Sequence, residues 1–140
     1  MTYTIQLETK PKREDNAFIQ KQLLAFNIAR SEDDYYSPFT IFLRDEQGEI
    51  AGGLIGCTYW GWLNVEILWV REDLRGQGFG KQLLAEAEAE ALRRGCRHAH
   101  LDTLDFQAPD FYQRMGYTVW GVLEDLPPGH KRIFLRKDLK

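Results

Sequence analysis

The sequence predicts one mixed α/β domain, in which a mostly antiparallel sheet contains a single parallel strand-helix-strand crossover and is flanked by helices. Three observations predict it. The 140-residue chain is about the length of one domain, so residues 1–140 are expected to share one core. Short runs with strand periodicity are interleaved with two long helical stripes. Between Trp69 and Leu84, in "WVREDLRGQGFGKQLL", three glycines occupy every second position ahead of a long helix, where glycine costs about 1 kcal/mol per residue relative to alanine.

Each element follows from its local pattern. "YTIQLE" alternates apolar and polar residues and reads as an opening strand. "DNAFIQKQLLAFNIAR" spaces Phe18, Ile19, Leu23 and Phe26 as a helix does. After the polar loop "SEDDYYSP", the runs "FTIFLRD" and "EIAGGLIGC" flank the turn "DEQG" and read as an antiparallel hairpin. "TYWG" is a second turn, and "WLNVEILWV" is a strand whose second half is apolar, as expected with both faces covered. In "KQLLAEAEAEALRR", Leu83, Leu84, Ala87, Ala91 and Leu92 form a stripe that ends at Gly95. "CRHAHLDTL" is a strand, and "PDFYQRMG" is a short helix with Pro109 in its first turn and Gly116 at its end. "YTVWGVL" and "KRIFLRK" are strands around the loop "EDLPPGH". A right-handed crossover makes its two strands parallel and puts the glycines at the carboxyl end of the first, where open sheets bind ligands.

Bulk properties narrow the classes. Hydrophobic residues make up 44% and charged residues 28%, with five prolines and twelve glycines spread along the chain, which is ordinary for a globular protein. A formal charge of −3 and a pI near 5.6 provide no basic footprint, so nucleic acid is not an expected partner and the balance leans toward cations. No apolar run reaches membrane-spanning length and "MTYTIQLETK" lacks the features of a signal peptide. No membrane association and a cytoplasmic location are expected. Cys57 and Cys96 are then expected to be reduced, buried apolar residues.

A helix start leaves its first N–H groups unpaired and carries about half a positive charge, so a loop without β-carbons ahead of it admits an anionic oxygen. A triphosphatase phosphate loop would need glycine where Arg75 stands and Ser or Thr where Gln82 stands. A dinucleotide fingerprint would need G-x-G-x-x-G, whereas Gly76, Gly78 and Gly80 run G-x-G-x-G. The segment instead resembles the pyrophosphate loop of the GNAT acyltransferase superfamily, Arg/Gln-x-x-Gly-x-Gly/Ala, matched by Arg75, Gly78 and Gly80. "FYQRMGY" resembles the family's second motif, F-Y-x-x-x-G-F/Y, and the likeness spans Ile50 to Leu123 in order and spacing. It implies a GNAT-like domain that uses acetyl-CoA as acyl donor, with cofactor contacts from Leu68, Val70, Arg75, Gln77, Gly78, Gly80 and Lys81. The family often has Asn three residues before the alanine ahead of "FY"; here that position is Asp105, a departure that brings a charge to a place implied to contact the cofactor arm.

Acetyl transfer to an amine through a tetrahedral intermediate requires a base, an oxyanion donor and an acid for the departing sulfur. Tyr112 matches the family's general acid, and a phenol stays protonated at neutral pH; the alternative is a core tyrosine beside Phe111. Glu66 is placed inside an apolar strand, where a carboxylate is costly unless partnered or useful, so it is either the base or the partner of an arginine. Alternation puts Asn64, Glu66 and Leu68 on one face. His130 is the second base candidate or a solvated loop histidine. His98 and His100 alternate on one strand with no third ligand in spacing, and no metal is expected. The family implies a backbone N–H near Val70 as the oxyanion donor.

Acidic residues Glu32, Asp33, Asp34, Glu124 and Asp125 fall in loops that flank the acceptor opening in GNAT-like folds, where they would attract a cationic amine or merely be solvated. Tyr59, Trp60 and Trp62 either wall an acceptor pocket or serve as core or dimer contact. The expected activity is N-acetylation of a small or cationic amine, with a protein amine as a variant, a homodimer as the expected assembly, and a non-catalytic acyl-CoA-binding regulator as the competing class.

Overall fold

The computed structural model describes all 140 residues, in two compact units, Met1–Asp34 and Tyr35–Lys140. The first unit holds helix α1, Arg13–Arg30, with Glu14 and Asp15 in its first turn and Arg30 in its last, each matched to the helix dipole. The helical spacing is realised, but no residue of α1 is buried and Phe18, Ile19, Leu23 and Phe26 are all more than half exposed. The strand expected from "YTIQLE" does not form. Alternation only sorts side chains between two faces; a strand also needs a neighbour to take up its backbone hydrogen bonds.

The second unit is built on a six-stranded sheet. Its strands are β1 (Ser37–Arg44), β2 (Ile50–Tyr59), β3 (Trp62–Val70), β4 (His98–Leu104), β5 (Thr118–Glu124) and β6 (Lys131–Asp138), in the order β1-β2-β3-β4-β6-β5. Every neighbouring pair is antiparallel except β3 and β4, as the crossover predicts. The turn between β1 and β2 is closed by the Asp45 carboxylate, which accepts from the N–H groups of Gln47 and Glu49 at 2.9 Å. Trp60 and Gly61 turn β2 into β3 with φ of 46° and 77°, the signs of a two-residue hairpin turn.

Helix α2 (Phe79–Arg93) supplies the crossover. Leu83, Leu84, Ala87 and Ala91 are buried against Leu54, Leu63, Val65, Leu101 and Leu135 of the sheet, while Leu92, counted in the stripe from the sequence, is exposed. Gly95, at φ 86°, ends the helix, and the Cys96 N–H returns to the Ala91 carbonyl at 2.9 Å. Cys57 and Cys96 are buried free thiols. Helix α3 (Pro109–Arg114) is tied down at its far end: Glu88 of α2 accepts from Tyr117 Oη at 2.8 Å and Lys137 Nζ at 2.9 Å, and Lys137 also donates to the Met115 carbonyl at 2.9 Å.

Strand β3 departs from simple alternation. Ile55 pairs with Ile67 but Gly56 pairs with Val65, so Glu66 is the extra residue of a β-bulge. Before the bulge Leu63 and Val65 face α2; after it Leu68 and Val70 do. Leu68 therefore moves to the face opposite the one expected from its parity with Asn64 and Glu66. Gly56 stands opposite the bulge, and a β-carbon there would lie 2.8 Å from the Asn64 carbonyl oxygen. Gly56→Ala is therefore expected to cost about 1–3 kcal/mol through backbone displacement, and Leu84→Ala, at a fully buried position, about 2–5 kcal/mol; urea unfolding of both variants measures the two losses.

Candidate active site

The parallel pairing of β3 with β4 begins at Trp62 and His98 and stops at Val65 and Leu101. Beyond that point the strands part, and the second half of β3 borders a cleft of about 480 Å³ whose other wall holds Asp102, Thr103, Phe106, Gln107 and Tyr112. A second lobe of about 460 Å³ lies toward the glycine loop, lined by Gly76, Gly78, Gly80, Lys81 and Phe111 among others. The lobes share Leu68, Val70, Arg75, Ala108 and Tyr112, so they form one continuous groove. Backbone groups of β3 that would pair with β4 in a closed sheet face this groove instead.

The loop lobe fits an anion. Gly76 and Gly78 have φ of 76° and 88°, and Gly78 is the N-cap of α2. A β-carbon at either would meet no protein atom within 4 Å, so the space above the backbone is open. The first intrahelical bond is Gln82 N–H to the Gly78 carbonyl at 3.1 Å, which leaves the N–H groups of Phe79, Gly80 and Lys81 at the helix start. No acidic residue stands in the first turn of α2, and Lys81 and Arg75 border the lobe. Arg75 also closes the loop, donating from Nε to the Val70 carbonyl at 2.8 Å. Of the positions expected to contact a cofactor, Leu68, Val70, Arg75, Gly78, Gly80 and Lys81 line the groove. Gln77 does not; its amide donates to the Asp73 carbonyl at 3.2 Å.

Tyr112 is buried between the lobes, its ring edge-on to Phe111 at 5.1 Å and to Tyr117 at 6.0 Å. Burial pushes its hydroxyl up to about 12, so it keeps its proton throughout the neutral and mildly alkaline range. Glu66 borders the other side of the groove, carried outward by the bulge. It is exposed rather than interior and takes part in none of the chain's ion pairs, so the arginine pairing considered from the sequence is not formed. Its carboxylate lies beside the Cys57 thiol, which burial and that charge push up to about 11.

Asp105 and His130 line neither lobe. The β4–β6 ladder runs one step past Leu104 and Arg132: Asp105 N–H donates to the Lys131 carbonyl at 3.0 Å, and the Asp105 carboxylate accepts from Lys131 N–H at 3.0 Å. The other carboxylate oxygen lies 3.0 Å from His130 Nδ1. Asp105 is thus committed to the β6 side and lines neither lobe. The carboxylate can only accept from the ring, so Nδ1 is the donor in this contact. His130 stands one ring away from the groove, against Phe106 at 4.9 Å.

Tyr59, Trp60 and Trp62 gather with His100, Trp120 and Arg136 around a separate hollow near the amino end of β3, not around Tyr112. There Tyr59 Oη lies 3.1 Å from His100 Nε2, and Trp62 stacks on His98 at 4.7 Å. Gln107 and Thr103 line the groove and were not singled out from the sequence, although "DFQAPDFY" contained Gln107 two residues after Asp105.

A strand split beside a glycine loop and helix start, with a buried tyrosine across the gap, defines an acyl-transfer fold of the GNAT class. The chain belongs to the acetyltransferase (GNAT) family, whose model matches residues 2–117. It is 48% identical over 102 residues to a blasticidin-S acetyltransferase of Streptomyces morookaense, covering 72% of this chain and 75% of that protein. It is 40% identical over 119 residues to acetyltransferase Atu2258 of Agrobacterium fabrum, covering 85% and 87%. A crystal structure of a putative acetyltransferase from Agrobacterium tumefaciens superposes with a TM-score of 0.90 at 37% identity, over 97% of this chain and 99% of that one. The nourseothricin acetyltransferase structure superposes with a TM-score of 0.66 at 28% identity, over 77% and 68%.

A branched side chain at Gly78 is expected to fill the open space above the loop and to strain a left-handed backbone. Isothermal calorimetry on folded Gly78→Val should therefore show coenzyme A affinity reduced at least tenfold; unchanged affinity would remove the loop from the binding site.

Proposed function

We propose that this acetyltransferase moves the acetyl group of acetyl-CoA to the amine of a small, cationic molecule in the cytoplasm, Tyr112 serving as acid and Glu66 as base. The observation that carries the reading is Tyr112, a proton-holding hydroxyl at the junction of the two lobes. The bound thioester supplies an activated carbonyl and a sulfur leaving group. The chain's part is to hold the diphosphate on the N–H groups at the start of α2, to pair the donor's arm with the freed edge of β3, and to polarise the carbonyl from a backbone N–H near Val70. Glu66, on its bulge, takes the amine proton directly or through a water, and Tyr112 Oη protonates the sulfur.

A small acceptor is supported by the relatives that act on blasticidin S and nourseothricin. A cationic one is supported by Glu66, which borders the groove and forms no ion pair, and by the acidic residues Glu124 and Asp125 of the same unit. We propose a homodimer as the working assembly, with the exposed aromatics as its first candidates for contact.

Thiol release from acetyl-CoA against a panel of amines tests the activity. Tyr112→Phe keeps the ring and removes only the acid, so turnover should fall about 10²-fold to 10⁴-fold, roughly 3–5 kcal/mol of transition-state stabilisation, with coenzyme A affinity retained. A less stable protein with full turnover would return Tyr112 to the core. Glu66→Gln should lower turnover about 10²-fold or more with coenzyme A affinity retained; if His130→Ala shows that loss and Glu66→Gln does not, the base is His130. Wild-type protein that binds acetyl-CoA yet acetylates no amine would be a regulator.

The raised Tyr112 value carries a sign for stability. Because its folded pKa lies above the unfolded one near 10, the stability it contributes is intact below about pH 10 and is lost as pH rises toward about 12. Melting temperature followed from pH 9 to 12 should therefore fall less steeply in Tyr112→Phe than in the wild type.

A further inference from the structure

We infer that Gln107 is a binding residue for the acyl donor, its side-chain amide donating hydrogen bonds to an amide carbonyl of the donor's arm; the inference rests on the reading of the groove as the acetyl-CoA site. The side chain is oriented by two contacts on one atom. Gln107 Oε1 accepts from the Leu104 N–H at 2.8 Å and from the buried Thr103 hydroxyl at 3.1 Å. A backbone N–H can only donate, so Oε1 and not Nε2 must face it, and the two contacts occupy both lone pairs of the oxygen. The NH₂ group is left at the other end with two donors and no hydrogen-bond partner within the chain.

Its setting says what those donors face. Gln107 lines the lobe between the parted strands, across from Leu68 and Val70. β4 leaves β3 without a partner after Val65, and an extended arm with amide groups would take the place of the missing strand there. Such an arm offers β3 one edge and turns carbonyl oxygens to the opposite wall. On that wall, Asp102 carries a carboxylate paired with Arg132 at 2.9 Å, and Asp105, off the wall, is occupied by His130 and Lys131. Neither carboxylate can donate to a carbonyl. The Gln107 amide can, already oriented by Leu104 and Thr103 before any ligand arrives, so little side-chain entropy is lost on binding.

The competing explanation is that Gln107 only caps the end of β4. Two substitutions separate the roles. Gln107→Glu keeps an oxygen for Leu104 N–H and Thr103 and removes the donors; Gln107→Met is neutral and removes both. The expected result is about a tenfold rise in the coenzyme A Kd for both variants by calorimetry, with a parallel rise in KM for acetyl-CoA, kcat changed less than KM, and a melting temperature held near wild type in Gln107→Glu. Wild-type affinity in both variants would overturn the inference, as would weakened binding in Gln107→Glu alone, which would report charge repulsion. A fall in kcat with unchanged Kd would overturn it too. If Gln107→Met fails to fold, the ratio of Gln107→Glu to wild-type Kd in about 0.5 M salt, where repulsion is screened, decides the matter. Failure of the underlying reading has a different signature, since wild-type protein would then bind no coenzyme A or Gly78→Val would bind it normally.

Discussion

The site depends on a partnership that β3 and β4 abandon. They are paired over only four residues, Trp62–Val65 with His98–Leu101, and then separate. Separation leaves one edge of β3 without a strand partner, a costly arrangement unless water or a ligand takes the exposed N–H and C=O groups. The Glu66 bulge sits at the first residue beyond the last paired position, so the irregularity that re-aims β3 coincides with the place where it leaves its neighbour. One local feature thus opens the groove, turns Glu66 to its rim and brings Leu68 and Val70 back onto the core.

The rest of the unit holds that opening still. Helix α2 is packed on the sheet through Leu83, Leu84, Ala87 and Ala91, which fixes where its amino end points. Glu88 on the same helix anchors Tyr117 and Lys137, and Lys137 holds the last turn of α3. Tyr112 is therefore located by the core and not by contacts within the groove. Electrostatics divide in the same way: a chain of net charge −3 places Lys81 and a helix start in one lobe, Arg75 where the lobes meet, and the Glu66 carboxylate in the other lobe.

Some of the site was legible from residue order. Glycines at 76, 78 and 80 before a helical stripe marked the loop that opens α2, and the "FYQRMGY" segment marked the tyrosine that stands where the two lobes meet. Glu66 was singled out through a premise that the structure corrects: the sequence placed it in a buried strand interior, whereas a bulge makes it exposed. A bulge is a property of two strands in register and leaves no mark on one of them, although Gly56 opposite it was visible. Asp105 attracted the cofactor role by its motif position, yet an extra ladder step toward Lys131 turned it to His130 and left Gln107 facing the groove.

By itself the sequence determined the order and type of the elements of Tyr35–Lys140, the parallel crossover and the glycine loop ahead of α2, because periodicity, turn residues and glycine placement act over a few neighbouring positions. It overstated the amino-terminal segment, where alternation without a partner makes no strand. Only the tertiary structure decided where β3 and β4 part, which residues the bulge transfers between faces, and which of Asp105, Gln107 and His130 reach the groove. Those outcomes depend on register and on hydrogen bonds between segments far apart in the chain, such as Asp105 with Lys131, and no local pattern encodes them.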